Sequence, residues 1–129
     1  METEICAVQD FKLGDTVLVW DNSRLSAFAV CHFGKGTEGG AERCYVKFGA
    51  ARAYVHARDA FDHLLDGCEA LSAIHGLPNI EAGVSFACDE AYGRMWARGF
   101  RTFAHGVTMH KPNEPGYHRP EVYAIDDWR

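Results

Sequence analysis

No run of this sequence is long and apolar enough to cross a membrane. The apolar low-charge stretch Leu25–Phe33 has only nine residues, whereas a bilayer-spanning helix needs about 20. No cluster of Lys or Arg is present either. Thirteen basic and eighteen acidic residues leave a net charge of −5. That balance excludes a nucleic-acid backbone as the expected partner, because phosphate contacts draw on a basic patch. Met1-Glu2-Thr3-Glu4 is acidic and no apolar h-region follows it, so no secretory leader is expected and the expected compartment is cytoplasmic. The five cysteines, Cys6, Cys31, Cys44, Cys68 and Cys88, contain no CxxC pair. Their odd number points to free thiols in a reducing compartment, not to a disulfide framework or a zinc knuckle. A G-x-S-x-G elbow, a P-loop and a paired-carboxylate pattern are also missing.

What is there can build a core. Three Trp, five Tyr and eight Phe among 129 residues exclude a disordered chain. One domain over residues 1–129 is expected, with 1–14 as a leader or exchanged segment. Thr16–Trp20 is β-branched and apolar, Asp21-Asn22-Ser23 is turn chemistry, and Leu25–Phe33 reads as the second strand of a hairpin. Ala41–Gly49 gives a third strand. Phe61, Leu64, Leu65, Cys68, Leu71 and Ile74 recur at steps of three and four, which predicts a helix over 57–75 that stops at Gly76 and Pro78. Gly67 in its middle costs up to about 1 kcal/mol relative to Ala, so packing has to compensate.

Ile80, Ala82, Val84 and Phe86 alternate with polar or small residues and predict a further strand. A short helix over Asp89–Arg98 follows, with Ala91, Tyr92, Met95 and Trp96 inward and Gly99 at its end. Phe103, Val107 and Met109 mark another strand. Lys111–Pro120 is a proline-rich loop, and Val122–Ile125 closes the sheet. The expected fold is α+β, a mixed, mainly antiparallel sheet with two helices in the order β-β-β-α-β-α-β-β.

Gly34-Lys35-Gly36-Thr37-Glu38-Gly39 spells GxGxxG, but a strand follows it where a dinucleotide site needs a helix, so it reads as a hairpin loop. His56, Asp59 and His63 share a helix face at steps of three and four. With no fourth ligand in reach they read as a solvated polar face, and no metal site is expected. Cys31 and His32 are adjacent on a strand and point to opposite faces, which excludes a dyad.

Leu64-Leu65-Asp66-Gly67-Cys68-Glu69-Ala70-Leu71, His75-Gly76-Leu77, Ala91-Tyr92, Gly99-Phe100 and the tail Lys111–Pro120 with Asp126-Asp127-Trp128-Arg129 carry a resemblance. They resemble the C-terminal part of the GNAT acyltransferase family, without the usual first strand and two early helices. The resemblance implies a truncated GNAT-like domain acting as an acyl-CoA-dependent N-acyltransferase on a small-molecule acyl acceptor. It implies acetyl-CoA or CoA with its pyrophosphate over Arg58, Asp59, Ala60 and Phe61. Its pantetheine arm would run along Phe48, Gly49 and Ala50, near Cys88 and Tyr92.

The sequence also departs from the family. The signature Gln/Arg-x-x-Gly-x-Gly/Ala falls on His56–Phe61, where Asp59 and Phe61 hold the two glycine positions. Glycine allows the backbone to approach phosphate closely, and a carboxylate repels it. The tyrosine that serves as general acid in many members is Met95 here, which leaves Tyr92, one turn earlier, as the substitute. The asparagine usual near the second helix start is Cys88. Weak cofactor binding follows, with a non-catalytic ligand-binding or dimerisation module as the alternative function. The missing cover of one edge and one face implies a homodimer.

Overall fold

The computed structural model describes residues 2–109, 111–112 and 116–127. β1 (Gly14–Asp21) and β2 (Arg24–Gly34) form the expected hairpin. Asn22 sits at its tip with φ +56°, a left-handed conformation that asparagine tolerates. The glycine-rich segment 34–40 is the loop from β2 into β3 (Gly40–Ala51), which pairs antiparallel to β2. α2 (Ala57–Ile74) then crosses one face of the sheet and returns the chain to β4 (Asn79–Ala82), parallel to β3. α3 (Asp89–Ala97) and β5 (Ala124–Ile125) complete the order, after α1 (Glu2–Asp10) at the start. The sheet runs β1-β2-β3-β4, and β5 also pairs with β3. The fold is α+β with a mixed, mainly antiparallel sheet.

The core lies between this sheet and α2. Ala27, Ala29 and Cys31 of β2 and Cys44 and Val46 of β3 meet Phe61, Leu64, Leu65 and Cys68. Gly67 has a packing reason: a Cβ there would lie 2.5 Å from Val17 Cγ1, so the missing side chain lets α2 close on β1. Asp62 of α2 holds Arg94 of α3 through two parallel hydrogen bonds of 2.9 and 2.7 Å, a bidentate geometry that fixes orientation.

Several expectations change. The expected leader is helical: α1 folds onto its own sheet, buries Val8, and is tied in by Phe33 N donating to Leu13 O at 2.9 Å. The helix count is therefore three among the described residues. No strand forms over 101–109; Phe103, Val107 and Met109 are 72%, 88% and 87% exposed. Composition suits a strand there, but the β3 edge beyond β4 is already taken by β5, and pairing rather than propensity makes a strand. β4 ends at Ala82, before Val84 and Phe86, because the chain bridges to Asp126 at Gly83 and then turns into α3. Trp96 faces outward, with the Arg101 guanidinium 4.2 Å above its ring. Ile74, assigned to the core by spacing, is 79% exposed at the end of α2.

Candidate functional site

β3 and β4 pair only from Arg43↔Asn79 to Val46↔Ala82 and then part. The residues expected along a pantetheine arm follow directly: Phe48 and Ala50 are half-buried and Gly49 is buried. Their edge of β3 is not open. Gly49 pairs with Ile125 and Ala50 with Ala124, and Ala51 N donates to Tyr123 O at 3.0 Å. The C-terminal segment thus lies in the gap that the parting strands leave.

That segment also reaches both helix starts. The Tyr123 ring packs on Phe61 of α2, with centroids 5.3 Å apart, and the Tyr123 hydroxyl donates to Glu90 of α3. Burial, and then the Glu90 carboxylate, push the Tyr123 hydroxyl up to about 12. Glu90 N donates to Pro120 O at 3.2 Å. Of the four residues expected beneath a pyrophosphate, Ala60 and Phe61 are buried in the core, and only Arg58 and Asp59 are exposed. Phe61 is therefore a core anchor at a position where the family signature has glycine.

Cys88 caps the start of α3 and is fully buried. Burial pushes its thiol up, against a backbone hydrogen bond from Arg119, so it stays protonated. Tyr92 is half-buried; its ring meets Phe86 at 5.0 Å and its hydroxyl lies 3.3 Å from Thr102 Oγ1. The structure brings Phe48–Ala50 and Arg58–Phe61 to one end of the sheet. The C-terminal segment reaches from there to Cys88 and Glu90 at the start of α3.

On the hairpin side of the α2 start there is an open cleft of about 370 Å³. Trp20, Asp21, Tyr54, His56, Asp59 and His63 line it, with no Lys or Arg among its lining residues. Tyr54 donates to Asp21 Oδ2 at 3.2 Å, and its ring stands edge-on to His56. His56, Asp59 and His63 therefore open on one space, although among the described residues no three His, Cys, Asp or Glu side chains converge on a metal position.

Sequence reasoning missed a polar cluster on the sheet face opposite α2. His32 is buried, with its Nε2 3.3 Å from Glu4 Oε1 of α1. Beside it in register, Tyr45 donates to Asp127 Oδ1 at 2.5 Å. Lys47 pairs with Glu38 at 2.6 Å and with Asp127 at 3.5 Å. The Glu38 hydrogen bond raises the Lys47 ammonium above its ordinary value. Alternation would place His32 on the face opposite Cys31, but the partners come from α1 and from the chain end, which local pattern does not connect. His118 and Tyr117 both bind Asp126. His110, Asn113–Pro115, Trp128 and Arg129 lie outside the described residues.

No family model and no curated protein matches the sequence. Among solved structures, a point mutant of TTHA1254 from Thermus thermophilus is similar, with a TM-score of 0.61 at 16% identity. The match covers 81% of this chain and 77% of that one. At that identity the likeness shows a shared fold alone.

Proposed function

We propose that this chain is a GNAT-type domain with a degenerate acyl-CoA site, acting as a ligand-binding and association module. The order of elements and the parting of β3 and β4 after Val46 support the family reading. One observation carries the loss of cofactor function: β5 pairs with Gly49 and Ala50, on the edge that the pantetheine arm would follow. The pyrophosphate position adds to it. Asp59 sets a carboxylate in the first turn of α2, where backbone N–H groups otherwise favour anions. Phe61 anchors the core and has no freedom to admit phosphate.

Residual acyl transfer from acetyl-CoA to a small-molecule acceptor is the second reading, favoured by the gap between β3 and β4. In that reading Tyr92 protonates the leaving thiolate, since Met95 has no proton to give. Calorimetric titration with CoA and acetyl-CoA separates the two. The degenerate module binds either one more weakly than micromolar and gains affinity in Asp59→Gly. Micromolar or tighter binding to the wild-type chain overturns the degenerate reading.

Association follows from the sheet. The outer edge of β1 has no partner strand among the described residues, and Leu18 on β1 and Phe11 just after α1 are 48% and 73% exposed. We infer a homodimer that covers this edge in both copies.

A further inference from the structure

Three cysteines from three elements meet in the core between the sheet and α2. Cys31 of β2, Cys44 of β3 and Cys68 of α2 are each at most 1% exposed. The Cys31 and Cys68 sulfurs are 4.0 Å apart, and the Cys31 thiol also donates to Cys44. We propose that Cys31 and Cys68 are a redox-sensitive pair, which a small peroxide converts to a disulfide that staples α2 to β2. Nothing in this pairing depends on an acyl-CoA site.

The helix comes close enough for such a bond because small residues line the contact. Ala27 and Ala29 precede Cys31 on the face of β2 that meets α2. Gly67, next to Cys68, lets the helix close on Val17 of β1. Forming the bond draws the two sulfurs together by about 2 Å, a distance that rotation of the two side chains supplies. Cys44 is the less suited partner. Cys31 stands opposite Val46, so Cys44 lies diagonally across the β2–β3 ladder. Diagonal neighbours are about 7–8 Å apart, beyond the reach of an unstrained disulfide.

Hydrogen bonds to Cys44 and Cys68, and then burial, push the Cys31 thiol up, so it is protonated at neutral pH. A protonated thiol without solvent contact reacts poorly with bulky disulfides. A small neutral peroxide is the oxidant class that reaches such a site during local opening. One sulfur of the pair attacks a peroxide oxygen, the O–O bond breaks, and a sulfenic acid and water form. The second sulfur attacks the sulfenic sulfur, the S–O bond breaks, and the hydroxyl leaves with the second thiol proton as water. Two thiols thus lose two electrons and two protons, and the peroxide is reduced to water. The linkage spans a separation of 37 residues that contains β3, so it restricts the unfolded chain and fixes α2 on the sheet.

The test treats the full chain with a small excess of hydrogen peroxide, followed by alkylation in denaturant, a peptide map without reductant, and urea unfolding. The expected result is a Cys31–Cys68 linked peptide and a urea midpoint higher by about 1 M, both reversed by dithiothreitol. Cys68→Ala forms no linkage and shows no rise, whereas Cys44→Ala and Cys6→Ser retain both. Each variant is compared with its own reduced form, which keeps loss of packing apart from loss of the linkage. Thiols left unmodified by peroxide, a linkage through Cys44, Cys6 or Cys88, sulfinic acid without linkage, or a midpoint that does not rise overturns the proposal.

Discussion

Gly67 and Tyr123 are the two residues whose chemistry is set most clearly by one neighbour. A methyl group at Gly67 meets Val17 at 2.5 Å, and overpacking of this kind costs about 1–3 kcal/mol. Alanine recovers up to about 1 kcal/mol of helix propensity, so Gly67→Ala is expected to lower stability by up to about 2 kcal/mol in urea unfolding. Adding Val17→Ala should return part of that loss. Tyr123 is buried with its hydroxyl on Glu90 and titrates at about 12 in the folded chain, against about 10 unfolded. A raised folded value stabilises the fold fully below pH 10, and that contribution is lost as pH rises through 12. Unfolding midpoints measured from pH 9 to 12 should therefore fall less steeply in Tyr123→Phe than in the wild-type chain. An identical slope would mean that Tyr123 ionises freely in the native state.

At the scale of elements, the strands and helices that bury a regular face were legible in the sequence. β1, β2 and α2 have clear patterns, and α2 begins at Ala57 and ends within one residue of the expected stop. The misses share a physical cause: the outcome was decided by a distant partner. α1 has Val8 buried against the sheet, and its short sequence gives no strong helical stripe. Residues 101–109 have strand composition but pair with none of the described strands. β5 is only two residues long, yet its Ile125 is 1% exposed and sets its Cδ1 near the Gly49 backbone. The residues expected at the cofactor gather at one end of the sheet, where sequence register shows their spacing and not their contacts. Register could not show that Phe61 and Gly49 are engaged by Tyr123 and Ile125, because those contacts span more than sixty residues. Ile125→Ala is expected to cost about 2–5 kcal/mol, read from the urea midpoint. A cost below about 0.5 kcal/mol, the range of ordinary surface changes, would show that β5 contributes little to holding the sheet together.

For the whole molecule, the proposed GNAT-type order of elements comes with a closed cofactor gap and an open β1 edge. Sedimentation velocity at micromolar concentration is expected to give a dimer of the 14.4 kDa chain, and a charged substitution such as Leu18→Lys should dissociate it. A stable monomer in the wild-type chain contradicts the homodimer and leaves the edge of β1 to another partner. The most direct test of the closed gap is hydrogen exchange at the Ala51 amide, which donates to Tyr123 O across the β3–C-terminal pairing. The predicted result is slow exchange that millimolar acetyl-CoA leaves unchanged; fast exchange, or protection lost as acetyl-CoA is added, would contradict it.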